Sequence, residues 1–276
     1  MPERVPLAVH PRVSVSEVCT LRSPLPDEIK LWNAVGIETV ALSAHKLRRF
    51  GFGQAIELLR ASLPRPSSLG SVLELDLTRP DDWVTRIDER IVPAIQAAED
   101  LGAPVFVCTS GAAPGMLYGD AEAAFRRAHT VLTNRLGRQV PLAVEHVNPL
   151  ATDVGFVHDL RTALDLARSV GQGVCLEIVS CYQELGLLDT IAGGIDVIRT
   201  VQVADLPAQG ASLSDRLVPG DGVLPIERII GELLASGYHG AFELEYFGPA
   251  VEAEGYESAL RRATAWLSRV LTAAGA

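Results

Sequence analysis

The sequence predicts an α/β fold, a closed (β/α)8 TIM barrel that forms one domain over residues 1–276. A short β-branched run, a polar turn and a longer segment with helical spacing recur in that order, which indicates βα units and a parallel sheet. Eight such repeats along the chain favour a closed barrel over an open sheet. The GxGxxG fingerprint of dinucleotide-binding open sheets does not occur in the sequence, which also favours the barrel.

The predicted elements follow from local composition and from their boundaries. The strands are Val5–Val9, Thr39–Leu42, Val72–Leu75, Val105–Cys108, Leu142–Glu145, Val174–Ile178, Thr200–Val203 and Phe242–Glu245. The helices are Asp27–Val35, Phe52–Ser62, Asp81–Leu101, Asp120–Leu136, Asp159–Ser169, Leu187–Ala192, Pro225–Ser236 and Tyr256–Ala274. Capping supports the third helix in particular, because Asp81 and Asp82 can cap its start, and Gly102 with Pro104 can end it.

The charge balance argues against some classes of partner. Lys and Arg total 24 and Asp and Glu total 34, which gives a net charge of −10. Nucleic-acid affinity comes largely from basic residues that displace counterions, so an acidic chain is expected to bind neither nucleic acid nor anionic membranes. No run approaches about 18 apolar residues and no signal-peptide core precedes the first helix, so we expect a cytoplasmic protein.

Four consecutive predicted strands carry an acid or an amide near their carboxyl ends, which is the face where barrels of this type place their active sites. The residues are Glu145, Glu177, Gln202 and Glu245. Three carboxylates and an amide oxygen form a hard-oxygen cage that suits Mg²⁺ or Mn²⁺. Glu243 shares a face with Glu245 and is the reserve ligand, because Glu245 lies nearer the end of the strand.

Further polar residues are candidates for substrate binding. Arg216 and Asp205 belong to the long loop after the seventh strand, and an arginine there can grip a carboxylate, phosphate or hydroxyl. Asn148 follows the fifth strand and His10 follows the predicted first strand, so both are candidates for the mouth of the barrel. His146 comes directly after Glu145 and is expected to point to the opposite side of its strand.

Several segments together resemble the xylose isomerase-like TIM barrels of the sugar phosphate isomerase/epimerase group, with hydroxypyruvate isomerase the nearest branch. The likeness covers about residues 25–247, and the order and spacing of its motifs are more specific than any one of them. The segments that carry it are Val144–Asn148 (VEHVN), Thr200–Asp205 (TVQVAD), Arg216 with Gly220–Gly222 (GDG), and Gly237–Tyr246 (GYHGAFELEY).

The resemblance implies one divalent metal ion held by Glu145, Glu177, Gln202 and Glu245, with Mn²⁺ or Mg²⁺ favoured and Co²⁺ or Zn²⁺ as alternatives. It also implies that Glu145 and Glu245 are catalytic and pass a proton between adjacent carbons through a metal-held enediolate. Arg216 corresponds to the substrate-gripping arginine of the group. Two positions depart from the group's pattern: Glu177 stands where Asp is usual, and Ser180 stands in the substrate pocket where His is usual.

The predicted function is therefore a metal-dependent isomerase or epimerase that acts on a small polyhydroxylated carbonyl compound, either sugar-like or a cyclic polyol. One alternative is a lyase that resembles 3-dehydroshikimate dehydratase, in which the enolate expels hydroxide instead of accepting a proton. Another is a non-catalytic barrel that binds a metabolite. An endonuclease-like role is disfavoured by the acidic charge. A homodimer is an assembly that analogy with such barrels allows.

Overall fold

The chain folds into a ring of eight parallel strands. The computed structural model describes residues 8–62, 64–136, 140–212 and 214–276. The strands are β1 Val13–Ser16, β2 Thr39–Ser43, β3 Arg65–Ser71, β4 Phe106–Thr109, β5 Leu142–Glu145, β6 Gly173–Glu177, β7 Ile198–Val203 and β8 Phe242–Leu244. They pair in sequence order, and β8 pairs with β1 to close the barrel. The predicted (β/α)8 barrel is confirmed.

Helices connect the strands and cover the outside of the barrel. They are α1 Leu25–Val35, α2 Ala44–Phe50, α3 Phe52–Arg60, α4 Trp83–Arg86, α5 Val92–Leu101, α6 Tyr118–Thr133, α7 Leu160–Val170, α8 Ile178–Cys181, α9 Leu187–Gly194, α10 Ile226–Ala235, α11 Pro249–Glu254 and α12 Tyr256–Ala273. Every predicted helix has a counterpart whose ends differ by a few residues at most. The short helices α2, α8 and α11 were not predicted, because each follows a strand closely and spans two turns or fewer.

The predicted helix Asp81–Leu101 contains a wider turn. Ile87–Ile91 forms one π-helical turn between α4 and α5. Pro93 is the second residue of α5, and its ring would crowd the carbonyl four residues earlier in a regular helix. The π turn relieves that crowding. Gly102 then ends α5 in the left-handed conformation, with φ of 70°, as its position in the sequence predicted.

Two predicted strands were misplaced. The first was predicted at Val5–Val9, of which residues 5–7 lie outside the described residues, whereas β1 begins at Val13. The third was predicted at Val72–Leu75, which is the loop that follows β3. β3 itself has the sequence RPSSLGS, so it lacks the apolar run on which the prediction depended. Ser67 of β3 faces the barrel interior, where its Oγ lies 2.7 Å from Ser14 Oγ.

The barrel interior contains small and polar side chains, whereas the larger apolar side chains pack between strands and helices. Val105, Val107, Ala143 and Cys175 form a separate small cluster inside the ring. Elsewhere in the barrel interior, Ser67 Oγ donates a hydrogen bond to Glu243 Oε1 at 2.7 Å. These small residues leave open space at the carboxyl ends of the strands, which is where the cavity lies. Among the described helices, none combines the length and apolar character needed to cross a bilayer.

Candidate active site

One cavity of about 320 Å³ lies at the carboxyl ends of the strands and brings together the strand-end residues singled out by the sequence. Glu145 ends β5, Glu177 ends β6, Gln202 lies in β7, and Glu245 directly follows β8. The strand register puts Glu177 beside Gln202 on adjacent strands. All four side chains line the cavity. Because parallel strands end at the same edge of a barrel, these residues come together there, as predicted.

The guanidinium of Arg216 lies among the acids. Its Nη1 forms an ion pair with Glu177 Oε1 and lies 3.2 Å from Glu245 Oε2. The guanidinium carbon lies 5.1 Å from the centre of the Phe247 ring, and the Arg216 backbone N–H donates to the Phe247 carbonyl at 2.8 Å. The arginine side chain is 14% exposed and Glu177 is 2% exposed. The expected substrate-gripping arginine thus contacts two of the candidate metal ligands.

Asp205 organises the loop that carries Arg216. Its Oδ1 accepts hydrogen bonds from the backbone N–H groups of Leu206 and Leu224, and its Oδ2 accepts them from Gly220 and Gly222. The carboxylate is 2% exposed and does not line the cavity. Its expected role in substrate binding is therefore corrected to one of loop structure, because both of its oxygens are occupied by backbone donors.

Burial and mutual repulsion raise the pKa values of Glu145 and Glu245. Burial raises the pKa of Glu145 well above its usual value, and the nearby Glu245 and Glu177 add to the rise. Burial raises the pKa of Glu245 to about 8, although Arg216 opposes the shift. Three carboxyl groups share one guanidinium here, so the arrangement favours retention of a proton by at least one of them at neutral pH. Two carboxyl groups, one protonated and one ionised, are suited to proton transfer.

His146 supports the site from behind. Its Nε2 accepts a hydrogen bond from the Glu177 backbone N–H at 3.2 Å, and the ring is fully buried. Burial lowers the pKa of His146 to about 4, so the imidazole is neutral at physiological pH. The side chain points away from the cavity, as predicted from its place next to Glu145. Its contact helps to fix the end of β6.

Ser180 contacts a candidate ligand instead of the cavity. Its Oγ donates a hydrogen bond to Glu177 Oε2 at 2.7 Å. Ser180 is not among the residues that line the cavity. Glu177 is therefore held on one oxygen by Ser180 and on the other by Arg216. The structure gives Ser180 a positioning role, where the sequence had suggested contact with substrate.

The remaining two candidates have different outcomes. Asn148 lines the cavity, and its Oδ1 accepts a hydrogen bond from the Leu150 backbone N–H at 3.0 Å. His10 lies at the opposite end of the barrel, where its backbone N–H donates to Ser268 Oγ and its Nε2 is 3.0 Å from the Ala276 carbonyl oxygen. The expectation for His10 is corrected because His10 precedes β1, so it belongs to the amino end of the strands.

Sequence reasoning missed the wall of the cavity that faces the acids. Each of the strands β1 to β4 ends in a hydroxyl residue, and all of these residues line the cavity. They are Ser16, Ser43, Ser71 and Thr109. The misplacement of β1 and β3 hid this pattern, which the sequence shows once the strands are placed correctly. The mouth of the barrel therefore has an acidic half and a hydroxyl half.

The donor atoms of the acidic half fit a hard divalent cation. Gln202 Oε1 is buried and accepts no hydrogen bond from the part of the chain that the structure describes, whereas Glu177 Oε1 is paired with the Arg216 guanidinium. Within residues 8–62, 64–136, 140–212 and 214–276, no group of three His, Cys, Asp or Glu side chains forms a ready-made metal site. Arg216 occupies the ion-pairing positions of Glu177 and Glu245, so those carboxylates could hold a metal ion only after the guanidinium moves.

Comparison with known proteins identifies the family. The family of xylose isomerase-like TIM barrels matches residues 29–270, so the chain belongs to this family. A search of curated proteins finds no significant match. Many solved structures share the fold.

Three of these structures are informative. The IOLI protein, solved with a bound zinc atom, has a TM-score of 0.81 and 16% identity over 95% of this chain and 98% of its own. The 3-keto-D-glucoside 4-epimerase YcjR from E. coli has a TM-score of 0.69 and 12% identity over 93% and 98% of the two chains. The probable 3-DHS dehydratase AsbF from Bacillus anthracis has the same TM-score, identity and coverage. At these identities the likeness establishes the fold.

Proposed function

We propose that this protein is a metal-dependent isomerase or epimerase that moves a proton between adjacent carbons of a small hydroxy-carbonyl substrate through an enediolate. The observation that carries the proposal is the placement of Glu145 and Glu245 in one cavity, both half-buried and both with raised pKa values. Carboxyl groups with raised pKa values can exchange a proton with a carbon acid in either direction.

The two glutamates divide the proton transfer. The ionised member removes a proton from the carbon next to the carbonyl group, and the protonated member returns a proton to the adjacent carbon. A divalent ion held by Glu145, Glu177, Gln202 and Glu245 would supply Lewis-acid stabilisation of the negative charge that develops on the substrate oxygens. Mn²⁺ and Mg²⁺ suit this oxygen-rich set best, with Co²⁺ and Zn²⁺ as alternatives.

The cavity supports a small polyhydroxylated carbonyl compound as substrate. Its volume of about 320 Å³ lies at the small end of the usual range for ligand pockets. The strand-end hydroxyls of Ser16, Ser43 and Thr109 can donate to and accept from the hydroxyl groups of a sugar-like or cyclic polyol substrate. Our proposal includes a cytoplasmic location and no nucleic-acid or membrane partner, with a homodimer as an allowed assembly.

The test combines metal analysis with solvent hydrogen exchange. Protein purified without chelator is analysed for bound metal, then incubated in D₂O with Mn²⁺ and a panel of ketoses and cyclic hydroxyketones. We expect about one ion per chain and incorporation of deuterium next to the carbonyl group in at least one compound, with an isomeric product. A product that has lost water would instead identify the dehydratase alternative. A protein that takes up no metal would contradict the proposal.

A further inference from the structure

Arg216 occupies the position in the acidic half at which two carboxylates converge. A single nitrogen, Nη1, is shared by Glu177 Oε1 and Glu245 Oε2. We propose that Arg216 is a resident cation that competes with the divalent ion for these two carboxylates, so that the ion enters the site by displacing the guanidinium. This inference rests on the proposed function, since it concerns the same metal site.

Charge explains why the two cations exclude each other. A guanidinium that remained between Glu177 and Glu245 would lie within a few ångströms of a divalent ion bound by the same oxygens. At the same separation, charges of +1 and +2 repel twice as strongly as two unit charges. The carboxylates can pair with the guanidinium or with the metal ion, but not with both. The metal affinity therefore depends on how much more strongly the carboxylates bind the metal ion than the guanidinium.

The guanidinium of Arg216 is not fully hydrogen-bonded in its position. The Arg216 Nε is buried and donates to no partner in the described part of the chain, so the guanidinium does not use all of its donors. Arg12 differs in this respect, because its Nε donates to the Gly240 carbonyl and its Nη2 to the Tyr238 carbonyl. The guanidinium carbon of Arg216 also lies 5.1 Å from the centre of the Phe247 ring, a contact that does not depend on the carboxylates.

The backbone around Arg216 is fixed, so displacement concerns the side chain. The Arg216 N–H is bonded to the Phe247 carbonyl, and Asp205 holds four backbone N–H groups of the same loop. A guanidinium released from Glu177 and Glu245 stays within reach of the cavity, where it can bind an anionic or hydroxyl group of the substrate. Binding of the metal ion would then release the Arg216 guanidinium, which would become available to bind the substrate.

The test is calorimetric titration of Mn²⁺ into variants at position 216. Arg216→Met keeps the apolar stem and removes the charge, and we expect it to bind Mn²⁺ at least about tenfold more tightly than the parent protein. Arg216→Lys keeps the charge on a shorter and more strongly hydrated side chain, so we expect an intermediate affinity. Arg60→Met is the matched control, because Arg60 is exposed on α3 and pairs with Asp100. Its Mn²⁺ affinity should be unchanged.

The outcomes separate this inference from the proposed function. If the parent protein binds Mn²⁺ and Arg216→Met binds it equally or more weakly, the competition is refuted and the proposed function stands. If neither protein binds Mn²⁺, the proposed function itself fails. Circular dichroism checks the fold of each variant.

A second measurement uses the parent protein and does not depend on any variant being stable. The arginine side-chain N–H resonances are followed by NMR during titration with Mg²⁺, and Arg216→Lys serves to assign the Arg216 signal. We expect that signal to shift in step with metal binding while the Arg12 signal stays constant. An Arg216 signal that is unmoved at saturating Mg²⁺ would also overturn the inference.

Discussion

Two groups of buried carboxyl groups lie just beyond the carboxyl ends of the strands, and they differ in how their charge is balanced. The enclosed cluster consists of Glu17, Glu28 and Lys46. Both glutamates are fully buried, Lys46 Nζ pairs with Glu28, and the Ser43 backbone N–H donates to Glu17 Oε2 at 2.5 Å. Burial raises the pKa of Glu17 well above its usual value, and Glu28 adds to the rise. With Glu17 protonated, the cluster is electrically neutral.

The site cluster consists of Glu145, Glu177, Glu245 and Arg216, and it is open to the cavity. Even when one of its carboxyl groups holds a proton, two carboxylates face one guanidinium, so a negative charge remains. The enclosed cluster is neutral with one proton, and its two glutamates are fully buried, whereas the site cluster lines the cavity and has three carboxyl groups for one cation. Burial alone therefore does not distinguish a candidate cation site from a structural ion pair. The number of acids per cation and access to a cavity do.

The largest difference between variants of the site cluster and variants of the enclosed cluster is expected in the rate of turnover. Glu145→Gln and Glu245→Gln should each lower turnover about 10²- to 10⁴-fold, because each removes one member of the proton-transferring pair. Glu17→Gln is the matched change in the enclosed cluster and should leave turnover within about twofold. Initial rates on the substrate identified by deuterium exchange provide the measurement. Retained activity in both site variants would refute the proposed roles of the two glutamates.

Stability should show the opposite contrast. Lys46→Met leaves Glu28 buried without its cation, so we expect the free energy of unfolding to fall by about 3–5 kcal/mol in urea titrations. Arg216→Met should lower it by less than half as much, because the cavity lets water reach the carboxylates that Arg216 releases. Equal losses in the two variants would mean that access to the cavity does not separate the clusters.

The strand-end acids of the site cluster could be predicted from the sequence, whereas the position of β3 could not. The ends of β5 and β8 were predicted to within one residue because their apolar runs stop at Glu145 and Glu245, and convergence followed from the barrel. β3 was missed because its buried Ser67 and Ser68 look polar in sequence, although their hydroxyls face the barrel interior. Local periodicity reports burial only when buried residues are apolar.

The pairing of Arg216 could not be read from the chain. Arg216 lies 39 positions after Glu177, and the contact depends on how Asp205 folds the intervening loop. The Glu17–Glu28 pair was missed for a similar reason, since Glu17 lies between predicted elements and Glu28 lies in the first turn of the predicted helix Asp27–Val35. Contacts between side chains of distant elements are set by tertiary packing, which local patterns do not encode.

The dependence of stability on pH should isolate the enclosed cluster. The folded state holds a proton on Glu17 that the unfolded chain releases near pH 4.5, so this contribution to stability is complete below that pH and is lost as pH rises toward the raised folded pKa. Glu17→Gln keeps a neutral side chain at every pH. Its free energy of unfolding relative to the parent should therefore rise with pH above about 4.5, by up to about 1.4 kcal/mol per pH unit.

Urea titrations at a series of pH values from 4 to 9 measure this difference. Asp100→Asn is the control, because Asp100 is exposed in its pair with Arg60 and should show little change in the same comparison. A constant difference between Glu17→Gln and the parent across the series would mean that Glu17 is ionised in the folded protein.

The smallest expected effect concerns the support of one ligand. Ser180→Ala removes the hydrogen bond that holds Glu177 Oε2, so Glu177 gains freedom on the side away from Arg216. A hydrogen bond of this kind contributes about 1 kcal/mol, which corresponds to about a fivefold weaker affinity for Mn²⁺ in calorimetric titration. Ser236→Ala removes the same type of bond, from Ser236 Oγ to Glu232 Oε1 at 3.0 Å, on the outside of the barrel. That control should leave metal affinity unchanged, and an equal affinity in Ser180→Ala would show that Arg216 and the backbone of β6 suffice to position Glu177.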